Sequence, residues 1–128
     1  MRRFTLPVLF ALLLTVISPP IHAEKVHGVQ AIALAVNLTN GSCVVSAQVD
    51  GVLYTTGLGD SNSNESASGN ILFQCRADLT SAAPKKGLAI DSDGQAFACV
   101  SGNHVVFTDD WRLVITPSGN LIYNCHAH

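Results

Sequence analysis

The chain has 128 residues, four cysteines and a formal net charge of −2, with nine acidic and seven basic side chains. Its length is that of one domain. A weakly acidic surface argues against binding to nucleic acid or to an anionic membrane, because both attract clustered basic side chains.

The first 23 residues have the pattern of a secretory signal peptide. Arg2 and Arg3 form a basic start, residues 4–17 are mostly apolar, and the stretch ends in the small residue Ala23. This apolar run of about 14 residues is shorter than the roughly 20 that span a membrane. We therefore predict cleavage after Ala23, no membrane span in the mature chain, and a secreted or periplasmic location. The mature chain would form a single β domain over residues 24–128, with a net charge of about −4.

The first part of the mature chain shows the two-residue periodicity of β-strands. Residues 29–38 alternate small and large apolar side chains, which predicts a strand buried on both faces, with an alanine-rich helix as the alternative. Residues 43–49 predict a strand with one apolar face, and Asp50-Gly51 is typical of a two-residue hairpin turn. Residues 57–68 contain one large apolar side chain, so we expect a polar, mobile loop there.

Further strands are predicted downstream from the same alternation. Residues 88–90 and 95–100 are interpreted as a hairpin around a four-residue turn, and residues 105–107 and 111–116 as the next two strands. In the last strand, alternate residues from Leu121 to Ala127 are expected to face the core.

A ten-residue segment occurs twice in the chain. Residues 118–127 match residues 68–77 at five of ten positions, and Cys-Val precedes each copy at Cys43 and Cys99. This predicts two related halves, at about 43–78 and 95–128. The predicted fold is therefore all-β: a small, disulfide-stabilised β-sandwich or barrel of about eight or nine strands.

Four cysteines in a small exported chain predict two disulfides, because the compartment is oxidising. A structural zinc site would need closely spaced cysteines, whereas the nearest pair, Cys75 and Cys99, is 24 residues apart. The duplication favours Cys43–Cys75 and Cys99–Cys125, although four cysteines allow three pairings.

The segment from Trp111 to His126 contains a Thr-Pro-Ser-Gly-Asn turn and ends in Cys-His. It resembles a pattern found in small exported bacterial proteins of unassigned function. The resemblance covers about the last 30 residues. It implies secretion and a β scaffold, and it brings no activity and no site residues.

Three histidines are candidate metal ligands. His126 and His128 are two residues apart on a predicted strand, so they project from the same face, and His104 could add a third imidazole. Zinc takes three or four ligands; the alternative is a frayed strand end with solvated histidines. The first copy carries Arg76 in place of His126, so the duplication does not repeat this site, and we predict no cofactor.

The sequence has no nucleophile elbow, zinc-protease motif or phosphate-binding loop. We therefore predict a non-catalytic structural or binding module with an extracellular or periplasmic partner. One alternative is a small secreted hydrolase that assembles His104, Asp109 and Asp110, although adjacent aspartates in a turn are more simply solvated. The other alternative is the histidine-based metal module.

Two aromatic residues are candidate binding anchors. Trp111 shares its strand face with Leu113 and Ile115, so we expect it in the core; if exposed, it would anchor a partner, with Tyr54 as the next candidate. Asn37, Asn40 and Asn64 begin glycosylation sequons that apply in a eukaryotic source.

Overall fold

The computed structural model describes residues 28–128, which form ten β-strands and no α-helix. The predicted signal peptide, residues 1–23, lies outside the described residues. The predicted all-β fold is confirmed, with at least one strand more than expected. The strands are β1 (Val29–Val36), β2 (Ser42–Val49), β3 (Val52–Thr55), β4 (Gly59–Glu65), β5 (Ile71–Asp78), β6 (Leu88–Asp91), β7 (Phe97–Ser101), β8 (His104–Thr108), β9 (Trp111–Ile115) and β10 (Asn120–Ala127).

Eight of these strands form one curled, half-barrel sheet. Its order is β1-β2-β4-β5-β10-β9-β6, and β3 pairs with β2 beside this path. The remaining two strands, β7 and β8, form a separate two-stranded sheet that contacts β5, β10 and β4. Strands β5 and β10 therefore lie at the centre of the molecule. Within residues 28–128, no helix is long and apolar enough to cross a membrane.

The core lies on one face of the curled sheet because side chains alternate along each strand. In β5 every second residue from Ile71 to Ala77 is buried, and the residues between them are exposed. Trp111 is buried, as predicted, and its ring N–H donates a hydrogen bond to the Gln95 carbonyl at 2.8 Å. Every buried residue in the described part of the chain is hydrophobic.

Strand β1 confirms the strand predicted near residue 29, but not its burial on both faces. Ile32 and Leu34 pack partly against the core, whereas Ala33 and Ala35 are exposed. The reason is that β1 is the end strand of a sheet whose core lies on one face only.

The loop predicted at residues 57–68 is wrong, because this segment contains β4. Its residues pair with β5 over six consecutive positions, from Asp60 to Glu65. Gly59 permits the close approach at the start of the strand, since a Cβ there would lie 2.1 Å from the Arg76 carbonyl oxygen. Backbone hydrogen bonds to β5, and not apolar side chains, hold this polar strand in place.

The hairpin predicted between residues 88–90 and 95–100 is also wrong. Strand β6 pairs with β9, and β7 pairs with β8. Strand β7 is held over the core instead, where Phe97 packs edge-on against Trp111 with ring centroids 5.1 Å apart.

Two strand pairs share one register. Ser61 of β4 lies opposite Cys75 of β5, and Trp111 of β9 lies opposite Cys125 of β10. Each residue of the second pair follows its counterpart in the first by 50 positions. The same offset relates the two copies of the repeated segment in the sequence.

The two central strands also pair with each other. In this antiparallel pair Gln74 lies opposite Asn124, again 50 residues apart. The Gln74 Nε2 donates a hydrogen bond to the Asn124 Oδ1 at 2.7 Å. An antiparallel pairing centred on equivalent residues places a local two-fold axis between β5 and β10.

The disulfides are Cys43–Cys75 and Cys99–Cys125, with Cα–Cα distances of 6.2 and 5.7 Å. They link β2 to β5 and β7 to β10, which is the pairing favoured by the duplication. All four cysteines are buried, so each bond fixes one central strand to a strand outside the central pair.

Candidate functional site on the outer face of the sheet

The outer face of the central strands carries a groove of about 360 Å³. Three amide side chains, Asn62, Gln74 and Asn124, lie opposite one another on β4, β5 and β10; we call them the amide row. They point outward because β5 and β10 place their alternate residues in the core. The groove is lined by Asn62, Ser63, Asn64, Leu72, Phe73, Gln74, Asn124 and Cys125.

An ion pair continues the amide row on the neighbouring strands. Arg112 lies opposite Asn124, and Asp91 lies opposite Arg112. The Arg112 Nε donates a hydrogen bond to the Asp91 Oδ1 at 2.8 Å. This bond and the guanidinium charge lower the pKa of Asp91, and the carboxylate raises the pKa of Arg112. The row thus passes from neutral amides to a charged pair at its β6 end.

A second polar feature, the histidine cluster, consists of Asp110, His126 and His128. One oxygen of Asp110 lies 3.5 Å from His126 Nδ1 and 3.8 Å from His128 Nε2. The two imidazole rings have centroids 4.1 Å apart. One ligand atom from each residue lies within 4.8 Å of the other two.

The backbone around the histidine cluster is held by a short network. The Thr108 hydroxyl donates a hydrogen bond to the His126 carbonyl at 2.8 Å and accepts one from the Asp110 N–H at 3.0 Å. The His126 N–H donates to the Asp110 carbonyl at 2.9 Å. Because Cys125 precedes His126 and is bonded to Cys99, the strand under the cluster is also covalently anchored.

His104 does not belong to this cluster. Its Nδ1 lies 3.0 Å from an oxygen of Glu65. The structure therefore brings together two of the three predicted histidines and adds Asp110, which sequence reasoning had assigned to a solvated turn. Asp110 lies beside His126 because β9 pairs with β10, and that long-range pairing was the missing signal.

The two predicted aromatic anchors are both in the core. Trp111 and Tyr54 are 4% and 1% exposed, so neither presents its ring to solvent in this structure. The exposed aromatic side chain on the same part of the molecule is Phe107 of β8, which is 67% exposed. Asn37, Asn40 and Asn64, which begin the sequons, are exposed.

The amide row and the histidine cluster are neighbours on one surface. Asn124 and His126 are two residues apart on β10, which corresponds to about 7 Å along a strand, and Leu72 of the groove lies opposite His126. Comparisons with protein-family models, with curated proteins and with solved structures found no match.

Proposed function

We propose that the chain is an exported, disulfide-stabilised β module that acts by binding a partner outside the cytoplasm. The observation that carries this proposal is the placement of the disulfides, each of which ties a central strand to a strand outside the central pair. Disulfides persist in oxidising compartments, in agreement with the predicted signal peptide. The resemblance of the C-terminal segment to small exported bacterial proteins belongs to the same proposal.

The proposal includes the origin of the module from two related halves. Support comes from the shared register of β4–β5 and β9–β10 and from the equivalent residues, Gln74 and Asn124, at the centre of the β5–β10 pair. A duplicated unit explains both observations, because each half supplies one central strand and one disulfide.

We assign binding to the groove that contains the amide row. Its side chains carry both donors and acceptors and no net charge, which suits a neutral, hydroxyl-rich ligand of the saccharide class. The groove volume of about 360 Å³ is at the lower end of the roughly 300–1,000 Å³ of small-molecule sites. A saccharide of one or two units matches that size.

The hydrolase alternative has less support from the contacts. It requires His104 to act with Asp109 or Asp110, whereas the acidic partner of His104 is Glu65, and Asp110 contacts His126 and His128. The residues proposed for catalysis therefore belong to two different groups of contacts.

Export and oxidation can be tested together by expressing the whole chain in a bacterium and recovering it from the periplasm or medium. We expect the amino terminus to be Glu24. An alkylating reagent should add nothing to the protein until a reductant is present, because the four cysteines are bonded. A full-length chain in the cytoplasm with reactive thiols would contradict the proposal.

Binding can be tested with the exported protein on a panel of immobilised saccharides. The double variant Gln74→Ala, Asn124→Ala should lose any binding that the unaltered protein shows. Asn103→Ala is a matched control, because Asn103 is an exposed amide in the β7–β8 turn, outside the groove. Binding that survives the double variant, or the absence of binding to any saccharide, would contradict this ligand class.

A further inference from the structure

We propose that the histidine cluster is a binding site for a divalent transition-metal ion of the zinc class. Two imidazoles and one carboxylate are ligand types that zinc takes in proteins. They come from two segments, the β8–β9 turn and the end of β10, which the fold brings together. This inference goes beyond saccharide binding and depends on different residues.

The separations of the ligand atoms fit a common ion. Zinc bonds to nitrogen and oxygen at about 2.0–2.2 Å, which in tetrahedral geometry places ligand atoms about 3.4 Å apart. The Asp110 oxygen lies 3.5 and 3.8 Å from the two histidine nitrogens. Since the three ligand atoms are all within 4.8 Å of one another, small rotations of exposed side chains would complete the site.

Ion pairing alone explains this arrangement less well. Ion pairs to Asp110 would need both imidazoles to be protonated, and two such cations with ring centroids 4.1 Å apart would repel each other. Two neutral imidazoles converging on the same carboxylate oxygen are instead suited to a shared cation. The electrostatics therefore favour a bound metal ion over two salt bridges.

The surroundings of the cluster fix the positions of its ligands. Thr108 and the Asp110 carbonyl hold the backbone of His126, and the disulfide at Cys125 anchors the strand. Support of this kind around the ligands is a usual part of metal sites. Three protein ligands leave at least one coordination position open, on the same surface as the amide row.

The first half of the chain provides an internal comparison. Asp60, Arg76 and Asp78 occupy the positions 50 residues before Asp110, His126 and His128, and Asp60 lies opposite Arg76 in the sheet. A guanidinium has no free lone pair for a metal. The ligand set is therefore a property of the second half alone, although the scaffold is repeated.

The test uses calorimetric titration of zinc into the exported, oxidised protein, purified without a histidine tag. We expect one equivalent of zinc to bind. Loss of a single ligand should weaken binding at least about tenfold, as much as loss of an outer-shell partner does in known sites. The variants are Asp110→Asn, His126→Asn and His128→Asn. His104→Asn is the control, because His104 is an exposed histidine outside the cluster.

A second probe keeps the test decisive if one variant folds poorly. Cobalt(II) should give the visible absorption of a nitrogen- and oxygen-ligated ion in the unaltered protein and in His104→Asn. The spectrum should be absent from His126→Arg, which carries the residue found at the equivalent position of the first half. The inference is overturned if no zinc binds, if His104→Asn weakens binding as much as the cluster variants, or if those variants retain full affinity.

Discussion

The two halves of the molecule share a plan but differ in how their first hairpin is placed. In residues 42–78 the hairpin β2–β3 joins the main sheet, since β2 pairs with β1 and with β4. In residues 97–127 the hairpin β7–β8 forms a sheet of its own. Both halves still close the same disulfide to their central strand. The sulfur bridge and the central register are therefore the constant part of the design, and the hairpin position is the variable part.

Gly59 accounts for part of this difference. It lies opposite Cys43, where β2 meets β4, and a Cβ at this position would clash with the Arg76 carbonyl at 2.1 Å and with the Ala77 side chain at 2.5 Å. The equivalent position in the second half is Asp109, which carries a side chain. The close approach that admits β2 to the main sheet is thus confined to the half that has glycine.

The largest expected effect comes from removing a disulfide. The bridges close loops of 32 and 26 residues, which correspond to roughly 3–4 kcal/mol each in the loop-entropy model. The paired variants Cys43→Ser, Cys75→Ser and Cys99→Ser, Cys125→Ser should therefore lower the free energy of unfolding by similar amounts in urea titrations. If one bridge proved dispensable and the other essential, the two halves would not be equivalent in stability.

The next effect concerns the close approach of β4 to β5. Gly59→Ala should lower the free energy of unfolding by about 1–3 kcal/mol, the usual cost of overpacking, because backbone must move to admit the methyl group. Gly57→Ala is the control, since its Cβ would meet a Thr80 methyl at 3.4 Å. Thermal or urea unfolding measures both. Equal stability of the two variants would remove the explanation offered for the placement of β2.

A third effect would sharpen the comparison by transferring chemistry between halves. Arg76→His combined with Asp78→His would place two imidazoles near Asp60, in the arrangement of the histidine cluster. We expect the zinc stoichiometry measured by calorimetry to rise from one to two. Arg76→Gln with Asp78→Asn removes the same charges without adding ligands and should leave the stoichiometry at one. A stoichiometry of one in both variants would show that the scaffold positions are not interchangeable.

The smallest effect concerns an aromatic position. Tyr123 donates a hydrogen bond to the Ala98 carbonyl at 2.8 Å, whereas Phe73, at the equivalent position of the first half, has no hydroxyl. Tyr123→Phe should lower the free energy of unfolding by about 1 kcal/mol, the net value of a typical hydrogen bond. Denaturant titration at neutral pH measures the loss, and an unchanged midpoint would indicate that the bond contributes nothing.

The same residue predicts a dependence on alkaline pH. Burial raises the pKa of Tyr123 above its ordinary value of 10.0, so the unfolded chain ionises this phenol before the folded chain does. The contribution of Tyr123 to stability is therefore complete below pH 10 and falls as the pH rises above it. The difference between the unaltered protein and Tyr123→Phe should shrink in that range.

Sequence patterns predicted those parts of the fold that local alternation controls. Buried residues alternate along β5 and β10 as expected, and the repeated cysteines pointed to the observed pairing. Strand β4 was missed because Asn62 and its neighbours are polar, and their backbone bonds to β5 leave no trace in side-chain hydropathy. The partners of β6 and β7 were missed for a similar reason, since they lie on distant strands.

The candidate site was predicted only in part. The two-residue spacing of His126 and His128 was sufficient to place both on one face of a strand. Asp110 could not be assigned to them, because its position depends on the pairing of β9 with β10. The contact between His104 and Glu65 likewise joins segments 39 residues apart. Local periodicity describes one strand at a time, and sites of this kind are formed between strands.

The pairing of Gln74 with Asn124 has a consequence for shorter versions of the chain. A polypeptide that carried a single half would expose the edge of its β5 strand, and residue 74 of one copy could lie opposite residue 74 of another in the register seen here. Such a fragment would be expected to self-associate as a symmetric homodimer. The natural chain is, in that sense, a tandem fusion of two subunits.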